Sequence, residues 1–574
     1  MILDEQEKKR LRDLKSATAE KLTVINLDGY PELDKTDTRL RVYIDSVRSY
    51  PDRHNLYELL ALLRFFHLLD TYEFRPSAVR RFIVVYESLR FNGMTGITRY
   101  RLTPIQVFQF ASILGFYRTK EKRLCRTALL FVPRKYSKTT SVAALAIDDL
   151  LFGDANAQAY VAANSYEQAQ ICFKEIKGIL KNMDPKMRRF KINREKVYNL
   201  MPGRSSFARC LASEADKLDG LNASLVILDE YSQADSAELK NVLTSSMGAR
   251  VNPLTVIITT ASEKLNGPFY AELQGYKDIL EGKLEDDSVF AHIFEPDIDD
   301  DEGSEDTWKK VQPHWGVTIQ TDYYEHKYRE ALRSYEDMKA FRTKLLNIFV
   351  MDDAKAWITA DEAMACKRNV DLEKVTGGPM TMVSMDLSVH DDFSAVSYNL
   401  YSETLRSFHI HTDYYFPEGA LSNHPNRELY RRWVDNGYLK LCKGDVIDYR
   451  MIVQDILERS RTLRIVGVGY DAYKSQECVN MLAASGFRDV LRAVPQNYGA
   501  FNSPVESFEY ALRTGKVSFN DNPINWYCFG NAVLDTDRND NKKPIKISDN
   551  RKIDGVITAI MTFYQFNNYE RPIR

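Results

Sequence analysis

The chain has 574 residues, of which 44% are hydrophobic and 28% charged, and its formal net charge is −2. This length exceeds what one core supports and predicts two or three globular domains. The seven cysteines are scattered without a CxxC pair, which argues against a disulfide framework or a zinc ribbon and favours reduced thiols in a cytoplasm. Charged residues begin within the first few positions of the sequence, unlike in a signal peptide. The most apolar helical stretch is too short for a membrane span.

Residues 1–95 predict a mostly helical segment, because charged and leucine-rich stretches alternate there. From about residue 96 short apolar strands alternate with helices. The strands are "ALLFVP", "AQAYVAA", "SLVILD" and "LTVIITT". Continuous apolar strands between helices predict a parallel sheet covered on both faces.

A second α/β segment begins near residue 380, after an acidic loop at 296–306, which we interpret as solvated, and a further helical stretch. Its first three strands, "MTMVSMD", "DFSAVSYNL" and "LRSFHIHTDYYF", follow one another after short turns and are expected to be antiparallel. Two more strands and a closing helix, "IDGVITAIMTFYQF", follow. The different order of elements predicts two separate α/β domains.

The stretch "FVPRKYSKTT" reads as a strand, a basic turn and a helix start. Phosphate sites need backbone N–H groups at a helix start, a lysine and a hydroxyl for Mg²⁺, which Lys138 and Thr139 can supply. Val132 and Ser137 replace the two usual glycines. The alternatives are an atypical phosphate loop and a strand-to-helix corner that is merely charged.

Other strand ends strengthen the first alternative. Asp229 and Glu230 follow a buried strand, where an NTPase holds Mg²⁺ and polarises water. We expect Asp229 to hold the metal through water and Glu230 to be the general base. Thr259 and Thr260 end a further strand and can sense a γ-phosphate, while Gln106 in "LTPIQ" can pair with an adenine edge.

Three aspartates mark strand and helix ends in the second domain. Asp386 ends one strand, Asp471 ends another, and Asp554 opens the last helix. Carboxylates from distant segments can converge on two Mg²⁺ or Mn²⁺ ions, and such a pair supports phosphodiester hydrolysis. The alternative is that each caps its own turn or helix. Asp391 and Asp392 are either a fourth ligand or a turn.

His409, His411 and Asp413 alternate along one strand and so share a face. Such spacing can bind zinc, but no further ligand is near in sequence. We interpret them as an exposed strand face.

Over nearly its whole length the chain resembles the large terminase subunit family of tailed bacteriophages. A set of motifs, found in the order given below, carries the resemblance. The motifs are "GYPELDK", "LTPIQ", "VPRKYSKTT", "LDGLNASLVILDE", "VIITTAS", "LLNIFV", "SMDLSVHDDFSAV", "GYDAY", "VPQNYGAFNSP" and "KISDNRKIDGVITAIM".

The resemblance implies an α/β protein with a RecA-like P-loop ATPase domain on a parallel sheet and an RNase H-like nuclease domain on a mixed sheet. The implied divisions are a helical N-terminal segment at 1–95, an ATPase domain at 96–350 with a lid at about 265–350, a linker at 351–378 and the nuclease at 379–574.

The resemblance also implies roles for the site residues. The nucleotide-binding residues are Gln106, Arg134, Lys135, Ser137, Lys138, Thr139, Thr140 and Asp229. The coupling residues are Thr259 and Thr260. The catalytic residues are Glu230, Asp386, Asp471 and Asp554. The metal ligands are Asp386, Asp471 and Asp554 in the nuclease, and Thr139 and Asp229 in the ATPase. Arg250 is either a trans-acting arginine or a structural residue.

The implied function is a viral packaging motor that hydrolyses ATP, drives double-stranded DNA into a procapsid and cuts concatemers with two Mg²⁺ or Mn²⁺ ions. The implied partners are a small terminase subunit, the portal protein and further copies in a pentamer, in the host cytoplasm and transiently on the procapsid, without a membrane. The alternatives are a helicase-nuclease of repair or restriction and a non-catalytic DNA-binding scaffold.

Overall fold

The computed structural model describes residues 5–211, 220–264, 267–350, 357–372, 375, 378–388, 393–422, 424, 426–473, 475–546 and 552–569. The chain divides into two compact units, Met1–Val350 and Met351–Arg574. None of the described helices is both long and apolar enough to cross a membrane.

The first unit begins with helices and short strand pairs. These are α1 (Glu5–Val24), α2 (Pro31–Thr36), α3 (Thr38–Ser49), α4 (Leu56–Thr71), β1 (Glu73–Phe74), α5 (Pro76–Ser88), β2 (Phe91–Gly93), β3 (Gly96–Thr98), α6 (Pro104–Leu114) and β4 (Phe116–Tyr117).

The core of the first unit is an eight-stranded sheet with helices between its strands. The elements are β5 (Thr127–Phe131), α7 (Lys138–Phe152), β6 (Gln158–Ala163), α8 (Tyr166–Met183), β7 (Phe190–Ile192), β8 (Lys196–Asn199), β9 (Phe207–Leu211), β10 (Leu225–Asp229), α9 (Glu238–Ser245), β11 (Leu254–Thr259), α10 (Pro268–Leu280) and β12 (Val289–Ile293). The strand order is β12-β5-β11-β10-β6-β9-β8-β7. The first six strands in this order pair in parallel, and β8 and β7 extend the sheet antiparallel.

Both faces of the central strands are covered, which explains their unbroken apolar sequences. In β5, Leu130 belongs to one hydrophobic core while its neighbours Leu129 and Phe131 belong to the core on the other side. Because side chains alternate along a strand, only a strand buried on both faces can be apolar at every position. The predicted parallel sheet is therefore confirmed.

Three helices close the first unit around a small aromatic cluster of Trp308, Tyr324 and Phe341. They are α11 (Glu305–Val311), α12 (Thr321–Ala331) and α13 (Tyr335–Lys344). The acidic loop that precedes them is only in part solvated, because Asp297 pairs with Lys15 of α1 at 2.6 Å and Asp299 pairs with Arg12 at 2.6 Å. The loop thus ties the N-terminal helix to the rest of the unit.

The second unit contains a mixed sheet with the order β16-β15-β14-β13-β17-β18, and β19 pairs with β15. Its elements are α14 (Ala360–Ala365), β13 (Met380–Asp386), β14 (Ser394–Ser402), β15 (Ser407–Pro417), α15 (Glu418–Leu421), α16 (Arg427–Asp435), β16 (Leu439–Cys442), α17 (Tyr449–Arg459), β17 (Arg464–Tyr470), α18 (Gln476–Leu482), β18 (Leu491–Ala493), α19 (Tyr498–Arg513), β19 (Val517–Phe519), α20 (Pro523–Gly530), β20 (Ala532–Thr536), β21 (Lys542–Lys546) and α21 (Asp554–Asn567).

The first three strands of this sheet are antiparallel neighbours, as their short connections predict, whereas β17 joins β13 in parallel. The predicted fold class, α/β with a helical N-terminal segment, a parallel sheet and a second mixed sheet, is confirmed.

Candidate functional site

The turn between β5 and α7 adopts a backbone conformation that glycine usually provides. Lys135 has φ 73° and Ser137 has φ 65°, both in the left-handed region. This region costs a non-glycine residue about 1–2 kcal/mol. Such strain persists only where the surroundings hold it, and it is concentrated at functional sites. The missing glycines therefore do not abolish the looped turn, because Lys135 and Ser137 adopt the required geometry.

Contacts from the last part of the first unit hold this turn in place. The Gln312 side-chain amide donates to the Arg134 carbonyl at 2.9 Å, and the Thr318 hydroxyl donates to the Lys135 carbonyl. The Arg134 amide donates to the Lys344 carbonyl at 2.9 Å. Both basic side chains of the turn, those of Arg134 and Lys135, remain exposed.

Lys138 connects the ends of three neighbouring strands. It is the first residue of α7, and its ammonium lies 2.7 Å from a Glu230 carboxylate oxygen and 2.5 Å from the Thr260 hydroxyl. Thr260 in turn donates to the Val132 carbonyl at 2.9 Å. The predicted phosphate lysine, general base and coupling threonine therefore lie within direct contact of one another.

The end of β10 carries a buried carboxyl, that of Asp229, beside the half-buried carboxyl of Glu230. Burial raises the pKa of the Asp229 carboxyl to about 6, the adjacent Glu230 carboxylate adds to the rise, and the Lys138 ammonium opposes it. Glu230 has φ 51°, which turns the chain sharply after the strand. Asp229 also lines a pocket of about 250 Å³ at the carboxyl ends of β6 and β10, together with Asn164 and Asp235.

The remaining predicted residues of this site take different positions. Thr259 accepts a hydrogen bond from the Ser232 amide at 3.0 Å, which links the end of β11 to the segment after Glu230. The Thr140 hydroxyl donates to the Ser137 carbonyl at 2.9 Å and so closes the turn. Thr139 is half-buried.

Gln106 is buried, and both the oxygen and the nitrogen of its side-chain amide make hydrogen bonds within the protein. Its oxygen accepts from the Thr103 amide at 2.9 Å, forming a capping box at the start of α6, and its nitrogen donates to the Ser141 hydroxyl at 2.9 Å. An adenine contact through this side chain requires these bonds to be exchanged.

Arg250 is a structural residue. Its buried guanidinium donates to the carbonyls of Asn222 and Asn156 and to the side chains of Asn156 and Asp154. With these donors engaged inside its own subunit, Arg250 is not available to act in trans.

The sequence did not predict a series of buried polar side chains that starts in the turn between β5 and α7, which we call the phosphate turn. The Tyr136 hydroxyl donates to the Gln109 side-chain oxygen at 2.5 Å, and the Gln109 nitrogen lies 3.1 Å from Nδ1 of His292. Burial lowers the pKa of His292 to about 4, so the ring is neutral. Nδ1 then accepts from Gln109, and Nε2 carries the proton.

The same series continues into the N-terminal helices. Nε2 of His292 lies 3.1 Å from the Tyr43 hydroxyl, which donates to Glu58 at 2.8 Å. Glu58 also pairs with His54 at 3.0 Å. No signal in the sequence indicates this connection, because its members come from at least five elements that are separate in sequence.

A second candidate site lies at one edge of the mixed sheet. Asp386 is the last residue of β13, and Asp471 directly follows β17. These strands are parallel with Met385 opposite Tyr470, so the next residues of the two strands, the two aspartates, are neighbours. The strand register therefore brings two of the three predicted carboxylates together.

Helix α21 brings the third carboxylate to the same edge. Its Gln565 amide donates to the Val383 carbonyl at 2.7 Å, and its Thr558 hydroxyl lies 2.7 Å from that of Ser397. One helical turn before Thr558, Asp554 reaches the level of the Asp386 edge.

A close approach at Gly555 fixes this end of the helix. A side chain at that position would collide with the Tyr414 hydroxyl. Tyr414 lies opposite Ala395, and Ala395 lies opposite Asp386. Gly555 therefore lets the helix start next to the carboxylates.

The side chains themselves are not gathered around a point. Among the described residues, no three His, Cys, Asp or Glu side chains are grouped so that they could hold a metal ion. The backbone fits a carboxylate metal site at this edge, whereas the side-chain rotamers do not form one. The suggested extra ligands Asp391 and Asp392 lie outside the described residues.

The histidine strand is not an exposed face, contrary to our expectation. His409 and Asp413 are both 8% exposed, and β15 is an interior strand of the sheet. Burial opposes the ionisation of Asp413, but a hydrogen bond from His411 and the charges of Arg459 and Lys440 hold its pKa well below the usual range. The group is a buried ion cluster.

Comparisons with known proteins identify the family of the chain. The family model for the "Terminase large subunit, ATPase domain" matches residues 104–278, and that for the "Terminase large subunit, endonuclease domain" matches residues 283–570, half of the chain. The "Terminase, large subunit" of Enterobacteria phage HK97 is 23% identical over 450 residues, which are 76% of this chain and 85% of the relative. "Protein YmfN" of Escherichia coli (strain K12) is 26% identical over 373 residues, 62% of this chain and 79% of that protein.

The crystal structure of the HK97 bacteriophage large terminase is 22% identical, covers 85% of this chain and 99% of its own, and has a TM-score of 0.45. The two family models together span the phosphate turn, the strand ends and all three aspartates of the second unit. The chain belongs to the terminase large subunit family, and its matched domains are an ATPase and an endonuclease.

Proposed function

We propose that this chain couples ATP hydrolysis to the movement of double-stranded DNA into a procapsid and cuts concatemeric DNA with its second unit. The contact of Lys138 with both Glu230 and Thr260 carries the ATPase part of this proposal. Glu230 and Thr260 directly follow two neighbouring strands of one parallel sheet, and Lys138 begins the helix after a third. The carboxyl ends of such strands are where α/β proteins bind nucleotides.

In the ATP site, Lys138 and Arg134 balance phosphate charge, and the strained turn with the start of α7 presents backbone N–H groups. Thr139 and Asp229 are the residues that would hold Mg²⁺, which neutralises charge on the phosphates when bound. Glu230 accepts the proton of the attacking water. The raised pKa of Asp229 fits a carboxyl that is costly to ionise without a cation nearby.

Thr259 and Thr260 are suited to coupling ATP hydrolysis to movement, because they contact both the lysine side and the Glu230 side of the proposed ATP site. Thr260 contacts Lys138, and Thr259 holds the Ser232 amide beyond Glu230. The 265–350 segment, the proposed lid, holds the phosphate turn through Gln312 and Thr318. A change at the phosphates can therefore reach these helices by direct bonds.

In the nuclease site, Asp386, Asp471 and Asp554 are proposed to hold two Mg²⁺ or Mn²⁺ ions. The strand register and the start of α21 support this assignment. Two such ions supply an activated water and stabilise the leaving oxygen of the phosphodiester. The chain's own contribution is a rigid sheet edge that presents the three carboxylates.

The proposed assembly is a pentamer on the portal protein of a procapsid, with a small terminase subunit choosing the DNA site. We place this work in the cytoplasm of the bacterial host. The proposed division of labour assigns residues 96–350 to the motor, 351–378 to a linker and 379–574 to the nuclease.

The deciding experiment measures ATP turnover, with and without duplex DNA, and plasmid cutting in Mn²⁺. Lys138→Ala should abolish ATP turnover and leave cutting intact, and Asp386→Ala should do the reverse. Loss of both activities in either variant, with unchanged folding by circular dichroism, contradicts two separable sites. ATP turnover without any cutting of duplex DNA by the wild-type chain contradicts the nuclease assignment.

A further inference from the structure

A cation from the last helix of the first unit reaches the proposed ATP site. Lys344 is the last residue of α13, and its ammonium donates to the Ala261 carbonyl at 3.4 Å. Ala261 directly follows Thr260, whose hydroxyl contacts the Lys138 ammonium. The Lys344 ammonium is therefore held just beyond the end of β11, where the proposed coupling residues lie.

The backbone around Lys344 is fixed to both sides of this site. The Arg134 amide in the phosphate turn donates to the Lys344 carbonyl at 2.9 Å. Three residues later, the buried Asn347 side chain accepts from the Ala261 amide at 2.7 Å and donates to the Phe294 carbonyl at 2.7 Å. Asn347 has φ 59°, a conformation that asparagine adopts more readily than most residues. These bonds hold the origin of the Lys344 side chain in a fixed place beside the phosphate turn.

The Lys344 ammonium lacks a carboxylate partner. Among the residues that the structure describes it makes no ion pair, and its 3.4 Å hydrogen bond to a neutral carbonyl is long. The two carboxylates whose charges reach it are each paired with another lysine. Glu230 pairs with Lys138 at 2.7 Å, and Glu263 pairs with Lys339 at 3.4 Å. The charge of Lys344 therefore has no counter-charge of its own.

Other cations surround the half-buried Lys344 side chain. Burial lowers the pKa of its ammonium, and the positive charges of Arg134 and Lys138 lower it further. The Glu230 and Glu263 carboxylates oppose this effect without cancelling it. A partly desolvated cation beside other cations is unfavourable until an anion binds. A polyphosphate fits such a group of basic side chains, because its charge is spread over several oxygens.

The position of Lys344 indicates which phosphate it meets. In a phosphate loop the turn and the helix start hold the α- and β-phosphates, and the lysine reaches the β- and γ-phosphates. The γ-phosphate then lies toward the residue that activates water, here the proposed base Glu230. The Lys344 ammonium lies beside Thr260, which contacts Lys138 as Glu230 does. It is therefore on the γ-phosphate side of Lys138.

We propose that Lys344 binds the γ-phosphate of ATP and so distinguishes ATP from ADP. This inference rests on the proposed ATPase function and adds a ligand from the proposed lid at 265–350. When the γ-phosphate is present, the ammonium exchanges the neutral Ala261 carbonyl for a phosphate oxygen, which gives a stronger charge-assisted bond. With ADP this bond is absent, whereas the contact of Lys138 with the β-phosphate remains. The end of α13 thus responds to the third phosphate.

The test compares the affinities of the full-length chain for ATPγS, which resists hydrolysis, and for ADP, both with Mg²⁺. Lys344→Met removes the charge and keeps an unbranched side chain, and Lys344→Arg keeps a cation. The matched control is Lys309→Met, the same change on α11, where Lys309 is exposed and pairs with Glu305 at 3.0 Å. Isothermal titration calorimetry gives the dissociation constants, and urea unfolding without nucleotide gives the stability.

We expect Lys344→Met to bind ATPγS at least about tenfold more weakly and ADP less than about threefold more weakly. Lys344→Arg should retain most of the preference for ATPγS, and the control should bind both nucleotides like the wild type. Without nucleotide, Lys344→Met should be at least as stable as the wild type, because the change removes an uncompensated charge. A merely structural lysine would instead lower the stability and weaken the binding of both nucleotides alike.

The outcomes separate this inference from the function on which it rests. A wild-type chain that binds neither nucleotide contradicts the proposed ATP site. A wild-type chain that binds both, with a Lys344→Met variant that keeps the wild-type ratio of the two dissociation constants, overturns the γ-phosphate contact alone. Lower stability of Lys344→Met without nucleotide also overturns it, because Lys344 is then a structural donor to Ala261.

Discussion

The Lys138 ammonium lies 2.7 Å from the Glu230 carboxylate, so the residue expected to bind phosphate holds the residue expected to activate water. The pair is mostly buried, with 10% of the Lys138 side chain exposed. In the proposed ATP site, a bound triphosphate would compete with Glu230 for the same ammonium. The contact would then hold the proposed general base until phosphate replaces it.

The first prediction concerns this ion pair. Glu230→Gln should lower the rate of ATP hydrolysis by about 10²–10⁴-fold, because a carboxamide cannot accept the proton of water. It should bind ATP at least as tightly as the wild type, because the carboxylate no longer competes for Lys138. Fluorescent-nucleotide titration and phosphate release measure the two effects. Glu285→Gln, an exposed position in the same unit, is the control, and weaker ATP binding by Glu230→Gln contradicts the competition.

The second prediction concerns the strained turn. Ser137→Gly should leave ATP turnover intact and change the free energy of unfolding by less than about 1 kcal/mol, because glycine accepts φ 65° but gains freedom in the unfolded chain. Ser137→Val should cost about 1–2 kcal/mol and raise the KM for ATP, because a β-branched residue strongly disfavours positive φ. Urea unfolding and steady-state kinetics test both variants. Equal behaviour of Gly and Val contradicts a role for the backbone conformation.

The third prediction concerns the start of α21. Gly555→Ala should slow DNA cutting at least tenfold and spare ATP turnover, because the new methyl group meets the Tyr414 hydroxyl and displaces Asp554. Adding Tyr414→Phe removes that oxygen and should restore part of the cutting rate. Plasmid nicking in Mn²⁺ gives the rates for the single and double variants. If the second change restores nothing, the close approach does not position the carboxylate.

The fourth prediction concerns pH. The pKa of His292 is about 4 in the folded chain and about 6.5 in the unfolded chain. The unfolded state therefore binds more protons between these values, and the stability present above pH 6.5 is lost as the pH falls toward 4. One such group contributes up to ~1.4 kcal/mol per pH unit. His292→Gln should reduce the pH slope of the urea-unfolding free energy in this window. Equal slopes in the wild type and in His292→Gln contradict a buried neutral imidazole.

The parts of the site that the sequence predicts are those set by local order. Lys138, Asp229 and Thr260 each follow or precede a strongly apolar strand, and the edge at which parallel strands end is the same for all of them. The antiparallel strands β7 and β8 were not predicted because each is very short and half polar. Their pattern does not differ from that of a charged loop.

Side-chain environment was harder to predict than strand position. His409 and His411 alternate as on an exposed face, yet β15 lies inside the sheet, and His409 bonds to Ser518 from β19. Likewise, the register brings Asp386 and Asp471 together, but their rotamers depend on packing that no local pattern encodes. Burial of polar groups is decided by neighbours distant in sequence.

The series of buried polar side chains from Tyr136 to Glu58 has a consequence for any attempt to shorten the protein. A fragment beginning near residue 96 retains the parallel sheet but loses Tyr43, the group that accepts the proton on Nε2 of His292. It thereby leaves the Nε2 proton of a buried imidazole without an acceptor, within two hydrogen bonds of the Tyr136 hydroxyl. The N-terminal helices therefore complete the buried hydrogen bonds of the first unit. A shortened fragment has to include them or replace His292 and Gln109 by apolar residues.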